Sequence, residues 1–382
     1  MFSRNRLTFV QRNWLSLDKK LLFLFSLLLV LGCVFSYSFS SPVAQRIGVD
    51  SYYFFKRHIS FSIVSLILLL SLAHLSIGTI RAASLPLFYS SLFLLALVPF
   101  FGLPIKGARR WLYIAGLSLQ PSEFLKPSLI LFFAHFLDKF SKNNDPKTLL
   151  APAVLIFITS LLIFRQPDIG TFLLLSLVLS SQILLLDSLG LVHCLYLLAV
   201  FAVLSATAYL TFPHVSGRIA NFLAGIRDMG RAHYQVRESV LAYQNASWLG
   251  RGFLEGEIKN HIPDSHTDFI FPAITEEFGF IIALLLVLIY FHIATRTMLK
   301  AKRRKDTYEF LAISGLSLLL ILQTSLNLGV SMNLLPTKGI TLPFLSYGGS
   351  SLLGASMIAG CMLVFTKKEF GIKNYENYGQ TH

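Results

Sequence analysis

Three polar segments interrupt the apolar sequence, and each carries a carboxylate that could take part in chemistry. Glu123 and Lys126 lie three residues apart, Asp168 follows Pro167, and Asp268 ends a run of polar residues. Ionisable side chains at membrane depth are costly and are usually functional. Because these residues fall at the outer ends of apolar runs, we expect them to line one outward-facing polar cavity.

Internal ion pairs are the alternative interpretation of the same residues. Glu123 and Lys126 would face the same side of a helix and could pair, and Asp168 could equally tie two helices together. The alternative fits Asp268 less well, because residues 261–268 hold more polar groups than a loop entering a helix requires.

Some of these residues could also bind a metal or a cofactor. His266 and Asp268 match no established zinc spacing, and no cysteine lies near them. A hard divalent cation, Mg²⁺ or Mn²⁺, bound by carboxylates and phosphate fits better. The chain has no P-loop, nucleophile elbow or dinucleotide fingerprint, so we expect no nucleotide cofactor. We also expect no nucleic acid partner.

The composition places these residues in a membrane protein. Of the 382 residues 54% are hydrophobic and 14% are charged, and the mean hydropathy is +0.64, whereas soluble proteins carry about 25% charged residues. This excludes a cytosolic enzyme, a secreted disulfide scaffold and a disordered protein. Cys33, Cys194 and Cys361 lie far apart in apolar runs and are expected to be buried apolar residues.

Ten long apolar runs predict an all-α integral membrane protein with about ten transmembrane helices. We expect one membrane domain at 21–366, between a basic N-terminus at 1–20 and a tail at 367–382. The predicted spans are 21–41, 58–79, 85–103, 123–137, 149–164, 169–186, 189–211, 268–295, 308–330 and 350–366.

Lysine and arginine in short loops, chiefly the N-terminus and residues 296–305, favour both termini in the cytoplasm. The outer side is nevertheless rich in cations, which indicates an anionic ligand there, since an arginine fork can bind two phosphate oxygens. Attraction to anionic headgroups is the alternative, above all for Arg46, Lys56 and Arg57. The outer cations are Arg46, Lys56, Arg57, Lys106, Arg109, Arg110, Lys126, Arg165, Arg218, Arg227, Arg231, Arg237, Arg251, Lys259 and Lys338.

Residues 212–266 form the one long predicted loop, on the outside between spans seven and eight. Ile219, Phe222, Leu223 and Ile226 follow the spacing of an amphipathic helix. That helix would lie in the membrane interface or pack as a lid on the other helices. Either arrangement would form a sheltered, lipid-accessible groove, and a second short helix is expected at 233–244.

The polar segments resemble the conserved blocks of the SEDS family (shape, elongation, division and sporulation proteins). The resemblance extends from about Gly107 to Gly354, in order and at the family's spacing. Pro336-Thr337-Lys338-Gly339 resembles the division member more than the elongation member. The blocks are Gly107–Trp111, Gln120–Glu123 with Lys126, Gln166–Thr171, Pro263–Phe271, Glu276–Gly279, Asn327–Val330, Leu335–Pro343 and Ser346–Ser351.

The resemblance implies ten spans with both termini in the cytoplasm, and a peptidoglycan glycosyltransferase. Such proteins polymerise lipid II, the undecaprenyl-diphosphate-linked disaccharide-peptide, with a class B penicillin-binding protein and other divisome membrane proteins. The family's catalytic aspartate in His-Thr-Asp corresponds to Asp268. Many relatives have a tyrosine near position 261, where this chain has His261.

Glycan extension needs a base for the acceptor hydroxyl and positive charge for the leaving diphosphate. Asp268 is the expected base, with Arg165 and Arg251 as further diphosphate candidates. Trp111 could stack on a sugar or only anchor the interface. A flippase and a non-catalytic scaffold remain as alternative functions. The candidate substrate-binding residues are Arg109, Arg110, Trp111, Lys126, Lys259, His266, Lys338, Ser346 and Tyr347, and Glu123 and Asp168 are candidate cation or structural carboxylates.

Overall fold

A computed structural model describes residues 14–105, 108–114, 116–186, 190–337 and 339–368. Each predicted span lies largely on a helix, and two shorter helices occupy the long loop. The helices are α1 (Lys19–Arg46), α2 (Tyr53–Ala73), α3 (Ile77–Phe101), α4 (Pro121–Asn143), α5 (Leu150–Arg165), α6 (Ile169–Leu184), α7 (Gly190–Thr211), α8 (Pro213–Arg227), α9 (Tyr234–Asn245), α10 (Ile270–Ala301), α11 (Thr307–Ser331) and α12 (Gly349–Phe365).

Several helices are long enough and apolar enough to cross a membrane, which makes the chain a multi-pass membrane protein. Six described segments meet that test by themselves, and a seventh does so if the bent pair at the α7–α8 junction counts as one span. Helices α6 and α12 have only 16 and 17 residues, or about 25 Å at 1.5 Å per residue. They fall short of a hydrocarbon core of about 30 Å.

The prediction of an all-α chain is wrong between α3 and α4. Three strands, β1 (Leu103–Ile105), β2 (Ala108–Ile114) and β3 (Leu117–Leu119), form a small antiparallel sheet in the order β1-β2-β3. Gly116 has a φ of +81° in the turn between β2 and β3, a conformation that glycine adopts without steric cost. Strand β2 carries the two arginines of the Gly107–Trp111 block.

The predicted boundary between the second and third spans is also wrong. Helix α2 ends at Ala73, and α3 begins at Ile77 because the Ser76 hydroxyl accepts a hydrogen bond from Thr79 N at 3.0 Å. Serine is a favoured N-cap residue, and its polar side chain stops the apolar run. Arg81, expected in a loop, therefore lies on α3.

Helix α10 is broken at Gly279, and the backbone around the break anchors the segment of the long loop that follows α9. Gly279 has a φ of +82°, and the segment Ser247–Gly252 binds the backbone around it. Gly252 N donates to Glu277 O at 3.1 Å, and Phe280 N donates to Ser247 O at 3.1 Å. A Cβ on Gly279 would lie 2.4 Å from Gly250 N, so only glycine allows this approach.

The opposite end of the helical bundle is held together around Asp18. Its buried carboxylate caps α1 through Lys20 N and Leu21 N and accepts two hydrogen bonds from Arg296, at 2.9 and 3.0 Å. Lys300 completes the ion cluster. The cluster ties the start of α1 to the end of α10.

We expect Asp18→Asn to lower thermal stability while leaving chemistry intact at low temperature. The change weakens a helix cap and leaves two cations without their carboxylate, at a cost of about 1–3 kcal/mol. The measurement is the unfolding temperature of the purified protein in detergent. Asp50→Asn is the matched control, because Asp50 forms an exposed pair with Lys56 and should change the temperature little. Equal shifts in both variants would contradict this role of Asp18.

Candidate active site

Asp268 lies in a tight turn that leads into α10. It is half-buried and two residues before the helix begins at Ile270, so the expectation that it opens the helix is wrong. The reason is local: Thr267 N and Phe269 N both donate to Asp264 O, at 3.0 and 3.2 Å. This turn, and not the first helical residues, directs the Asp268 side chain.

Asn327 of α11 connects this turn to the segment that follows α11. Its Nδ2 donates to Asp268 O at 2.8 Å and to Ile340 O at 2.7 Å. A Cβ on Gly339 would lie 3.1 Å from Asp268 Oδ2. The glycine therefore lets the carboxylate lie directly against the backbone of this segment.

A cleft of about 120 Å³ has Gly339, the residue against which the Asp268 carboxylate lies, in its wall. Its walls come from β2, the start of α6, α8 and the segment after α11. The lining residues are Arg110, Pro167, Asp168, Ile169, Gly170, Val215, Arg218, Ile219, Pro336, Thr337 and Gly339. The structure thus brings together three of the blocks found in the sequence.

Asp168 and Arg110 both hold the start of α6 in place beside this cleft. The buried Asp168 carboxylate caps α6, accepting from Thr171 N at 3.4 Å and from Thr171 Oγ1 at 2.9 Å. Arg110 donates to Gln166 O at 3.0 Å and to Pro167 O at 2.6 Å. These contacts favour a structural role for Asp168, while Arg110 also adds positive charge to the cleft.

Arg218 is the cleft residue that sequence reasoning missed as a site candidate. It lies on α8 at the start of the amphipathic stripe and makes a long contact from Nη1 to Thr337 O at 3.5 Å. Burial, followed by the charge of Arg110, lowers its pKa, and Asp168 and Asp268 act in the opposite direction. A guanidinium nonetheless stays protonated. The sequence did contain a signal for Arg218, because it directly precedes Ile219, the first residue of the amphipathic stripe. A residue next to that stripe is expected to lie near the face of α8 that packs against the other helices.

Glu123 and Lys126 form a buried ion pair away from the cleft walls. Lys126 Nζ lies 2.8 Å from the Glu123 carboxylate and donates to Gln323 Oε1 at 3.0 Å. Gln323 Nε2 in turn donates to Thr341 O at 3.0 Å. The alternative interpretation from the sequence, an internal ion pair, therefore describes this contact. Through Gln323, the ion pair is connected to Thr341 in the segment after α11.

The pair can be tested by removing one or both charges. We expect Glu123→Ala to abolish activity, because an orphaned buried lysine costs about 3–5 kcal/mol. We expect Glu123→Ala with Lys126→Met to recover folded protein and much of the activity. The measurement is the yield of folded protein and of glycan polymer from each variant. A double variant that folds but stays inactive would place Glu123 in the site.

Lys259 lies in a buried position where its amine has no donor left for a substrate. Nζ donates to Ser38 Oγ at 3.0 Å and to Leu254 O at 3.1 Å, and it pairs with the buried Glu277. An ammonium group has three donors, so all of them are used. We therefore leave Lys259 out of the proposed substrate site.

His266, Ser346 and Tyr347 hold the Asp268 turn against the start of α12. Ser346 Oγ donates to Thr267 O at 2.6 Å, and Tyr347 N donates to His266 O at 2.8 Å. The rings of His266 and Tyr347 lie 5.3 Å apart. Burial raises the pKa of Tyr347, so its hydroxyl stays neutral at physiological pH. These contacts position the turn.

The remaining candidates lie elsewhere. Arg109 lines a second cleft on the other side of Pro167, and Trp111 is half-buried in β2 opposite Leu103. Arg251 pairs with Glu257 at 3.0 Å. Lys338, together with Lys106 and Gly107, is outside the described residues.

The described residues do not build a metal site by themselves. No group of three or more histidine, cysteine, aspartate or glutamate side chains comes together in that part of the chain. Glu123 is paired with Lys126, and Asp168 caps a helix. The described protein side chains alone therefore do not supply a complete ligand set for a divalent cation.

Comparison with known proteins identifies the family of this chain. The family model of FtsW, RodA and SpoVE, described as cell cycle protein, matches residues 19–369. The chain belongs to this family. The resemblance found in the sequence is thereby confirmed.

The similar curated proteins share the division member's name. A probable peptidoglycan glycosyltransferase FtsW from Caulobacter vibrioides is 34% identical over 374 residues, covering 97% of this chain and 94% of the relative. One of the same name from Trichlorobacter lovleyi is 35% identical and covers 91% of this chain and 92% of the relative. These matches support the preference for the division member.

Solved structures match the whole fold. A chain from a peptidoglycan synthase complex, studied for its coordination of polymerization and crosslinking, aligns with a TM-score of 0.73 at 28% identity, over 92% of this chain and 98% of that chain. The rod shape determining protein RodA of Thermus thermophilus aligns with a TM-score of 0.67 at 27% identity, over 93% and 97%.

Proposed function

We propose that this protein is a peptidoglycan glycosyltransferase that polymerises lipid II into glycan strands at the outer face of the cytoplasmic membrane. The observation that carries the proposal is the Asp268 carboxylate, which lies against Gly339, a wall residue of the cleft that Arg110 and Arg218 also line. A base next to cationic groups is the arrangement that glycosyl transfer from a diphosphate requires. The FtsW names of its relatives support the same activity.

In the proposed reaction, the Asp268 carboxylate takes the proton of the acceptor 4-hydroxyl. The hydroxyl oxygen bonds to C1 of the donor sugar while the bond from C1 to the lipid diphosphate breaks. Arg218 and Arg110 stabilise the negative charge that builds up on the leaving diphosphate. Lys338 follows Thr337 of the cleft wall in the sequence and is proposed for the same role. The leaving diphosphate supplies the energy, so the step needs no nucleotide.

The membrane arrangement is part of the proposal. We propose ten spans, both termini in the cytoplasm and one membrane domain over 21–366, supported by a helix at each predicted span. Asp268 and the cleft lined by Arg110 and Arg218 would then face outward, where the glycan strand is made. Any divalent cation would be held mainly by the diphosphate, because the described carboxylates provide no complete site.

The proposed partner is a class B penicillin-binding protein that crosslinks the product. We propose that the protein acts at the division septum, together with other divisome membrane proteins. Similarity to a chain of a complex that couples polymerization with crosslinking supports a crosslinking partner. The FtsW names of the relatives support the role in division. We propose no nucleic acid partner.

The deciding experiment supplies lipid II to the purified protein, with and without its crosslinking partner, and separates the products on a gel. Polymer that depends on this chain supports the proposal. Transport of lipid II across liposomes in the absence of polymer would favour a flippase. No polymer and no transport, but recruitment of an active synthase, would favour a scaffold.

A further inference from the structure

Arg109 and Arg110 are neighbours in β2, yet they line different clefts. Successive side chains of a strand point to opposite faces, and the structure follows that rule. Arg110 lines the 120 Å³ cleft near Asp268, whereas Arg109 lines a separate cleft of about 400 Å³. Pro167 belongs to the walls of both. The two clefts are therefore adjacent compartments with one shared wall.

The second cleft is cationic and contains no carboxylate among its lining residues. The Arg165 side chain is exposed and makes no hydrogen bond or ion pair with the described part of the chain. Arg109 uses one N–H group for Pro99 O at 3.2 Å, so most of its donors remain available. The lining residues are Pro99, Ala108, Arg109, Arg165, Gln166, Pro167 and Phe212.

An apolar surface borders this cationic cleft. Pro99 lies in its wall, and the next two residues of α3, Phe100 and Phe101, are 77% and 71% exposed. Phe212 adds an aromatic ring to the wall. Cationic forks beside exposed apolar side chains suit an amphiphile with an anionic head and a hydrocarbon tail.

Transfer between two lipid-linked sugars involves two diphosphates in different positions. The donor's diphosphate is the leaving group and must lie at the reacting carbon, near the base. The acceptor's diphosphate stays attached and is separated from the reacting hydroxyl by the length of its disaccharide. The reaction therefore needs a second anionic site set apart from the catalytic base.

We propose that the second cleft binds the diphosphate of the incoming lipid II acceptor through Arg109 and Arg165, with its lipid chain along Phe100 and Phe101. The disaccharide then extends past Pro167 and presents its hydroxyl to Asp268. The donor's diphosphate occupies the cleft of Arg110 and Arg218. This assignment rests on the proposed function and gives each of its two substrates a place.

The test compares Arg109→Gln, Arg165→Gln and the double variant with Arg227→Gln, which changes an exposed arginine outside both clefts. With lipid II as substrate, we expect the double variant to raise KM roughly 10- to 100-fold, with a much smaller change in kcat. Arg227→Gln should match the parent protein. An unchanged KM, or a loss of kcat alone, would overturn the assignment.

Direct binding separates this inference from the catalytic proposal. Lipid II in detergent micelles is titrated into the Asp268→Asn protein, which needs no turnover. We expect Arg109→Gln with Arg165→Gln in that background to weaken binding by a similar factor, and lysine at both positions to restore part of it because the charge returns. Unchanged binding would overturn the acceptor site even if Asp268 proves catalytic. Weakened binding, together with a parent protein that makes no polymer from lipid II, would support the site and contradict the proposed polymerase activity.

Discussion

Arg218→Ala is expected to lower the rate of glycan polymerisation by about 10²–10³-fold, the usual effect of removing one group that stabilises charge in the transition state. Arg218 lies in the cleft with Arg110, and in the described part of the chain its side chain makes one long hydrogen bond, to Thr337 O at 3.5 Å. Its guanidinium is therefore placed to receive negative charge from the leaving diphosphate. The loss should fall mainly on kcat, because the charge develops as the bond breaks.

Two variants serve as controls for this prediction. Arg227→Ala removes an exposed arginine from the other end of α8 and should leave the rate near that of the parent. Arg218→Lys keeps the charge but loses the planar fork, so we expect an intermediate rate. If Arg227→Ala were as slow as Arg218→Ala, the cause would be the general charge of this surface helix.

The positions of the helices could be predicted because apolar periodicity and length dominate in a membrane. Helix boundaries were less predictable where a local hydrogen bond determines the first residue of the helix. The cap at Ser76 is an example, since α3 begins eight residues before the expected position. The strands at 103–119 were missed because they are short and continue an apolar run. Their pairing depends on contacts between β1, β2 and β3 that only the folded chain shows.

The residues of the site could be predicted in part. Asp268 and Arg110 were recognised from their sequence blocks, and the structure places Arg110 in the cleft whose wall Asp268 contacts through Gly339. The partners of buried charges could not be predicted, because they come from distant segments. Lys259 thus pairs with Glu277 of α10. The placement of Arg109 and Arg110 in different clefts could not be predicted either, because it depends on strand β2. In a strand neighbouring side chains point to opposite faces, whereas a loop at 108–110 would not impose this.

Asp268→Asn is expected to lower polymerisation by about 10²–10⁴-fold, the usual contribution of a general base. The amide keeps the shape of the side chain beside Gly339, and the bond from Asn327 Nδ2 goes to the backbone carbonyl of residue 268. The variant should therefore fold, reach the membrane and bind its partner. Asp264→Asn is the control for damage to the turn, because that carboxylate accepts from Gln235 at 2.6 Å and lies outside the proposed chemistry. Its effect should be smaller and should accompany a loss of thermal stability.

The most direct measurement follows the initial rate of glycan polymer formation from lipid II by the purified protein and its Asp268→Asn variant, with folding, partner binding and lipid II binding measured on the same samples. The proposed mechanism predicts that the variant binds lipid II and its partner as the parent does but forms almost no polymer. Polymer formation by Asp268→Asn at a rate near that of the parent would contradict it.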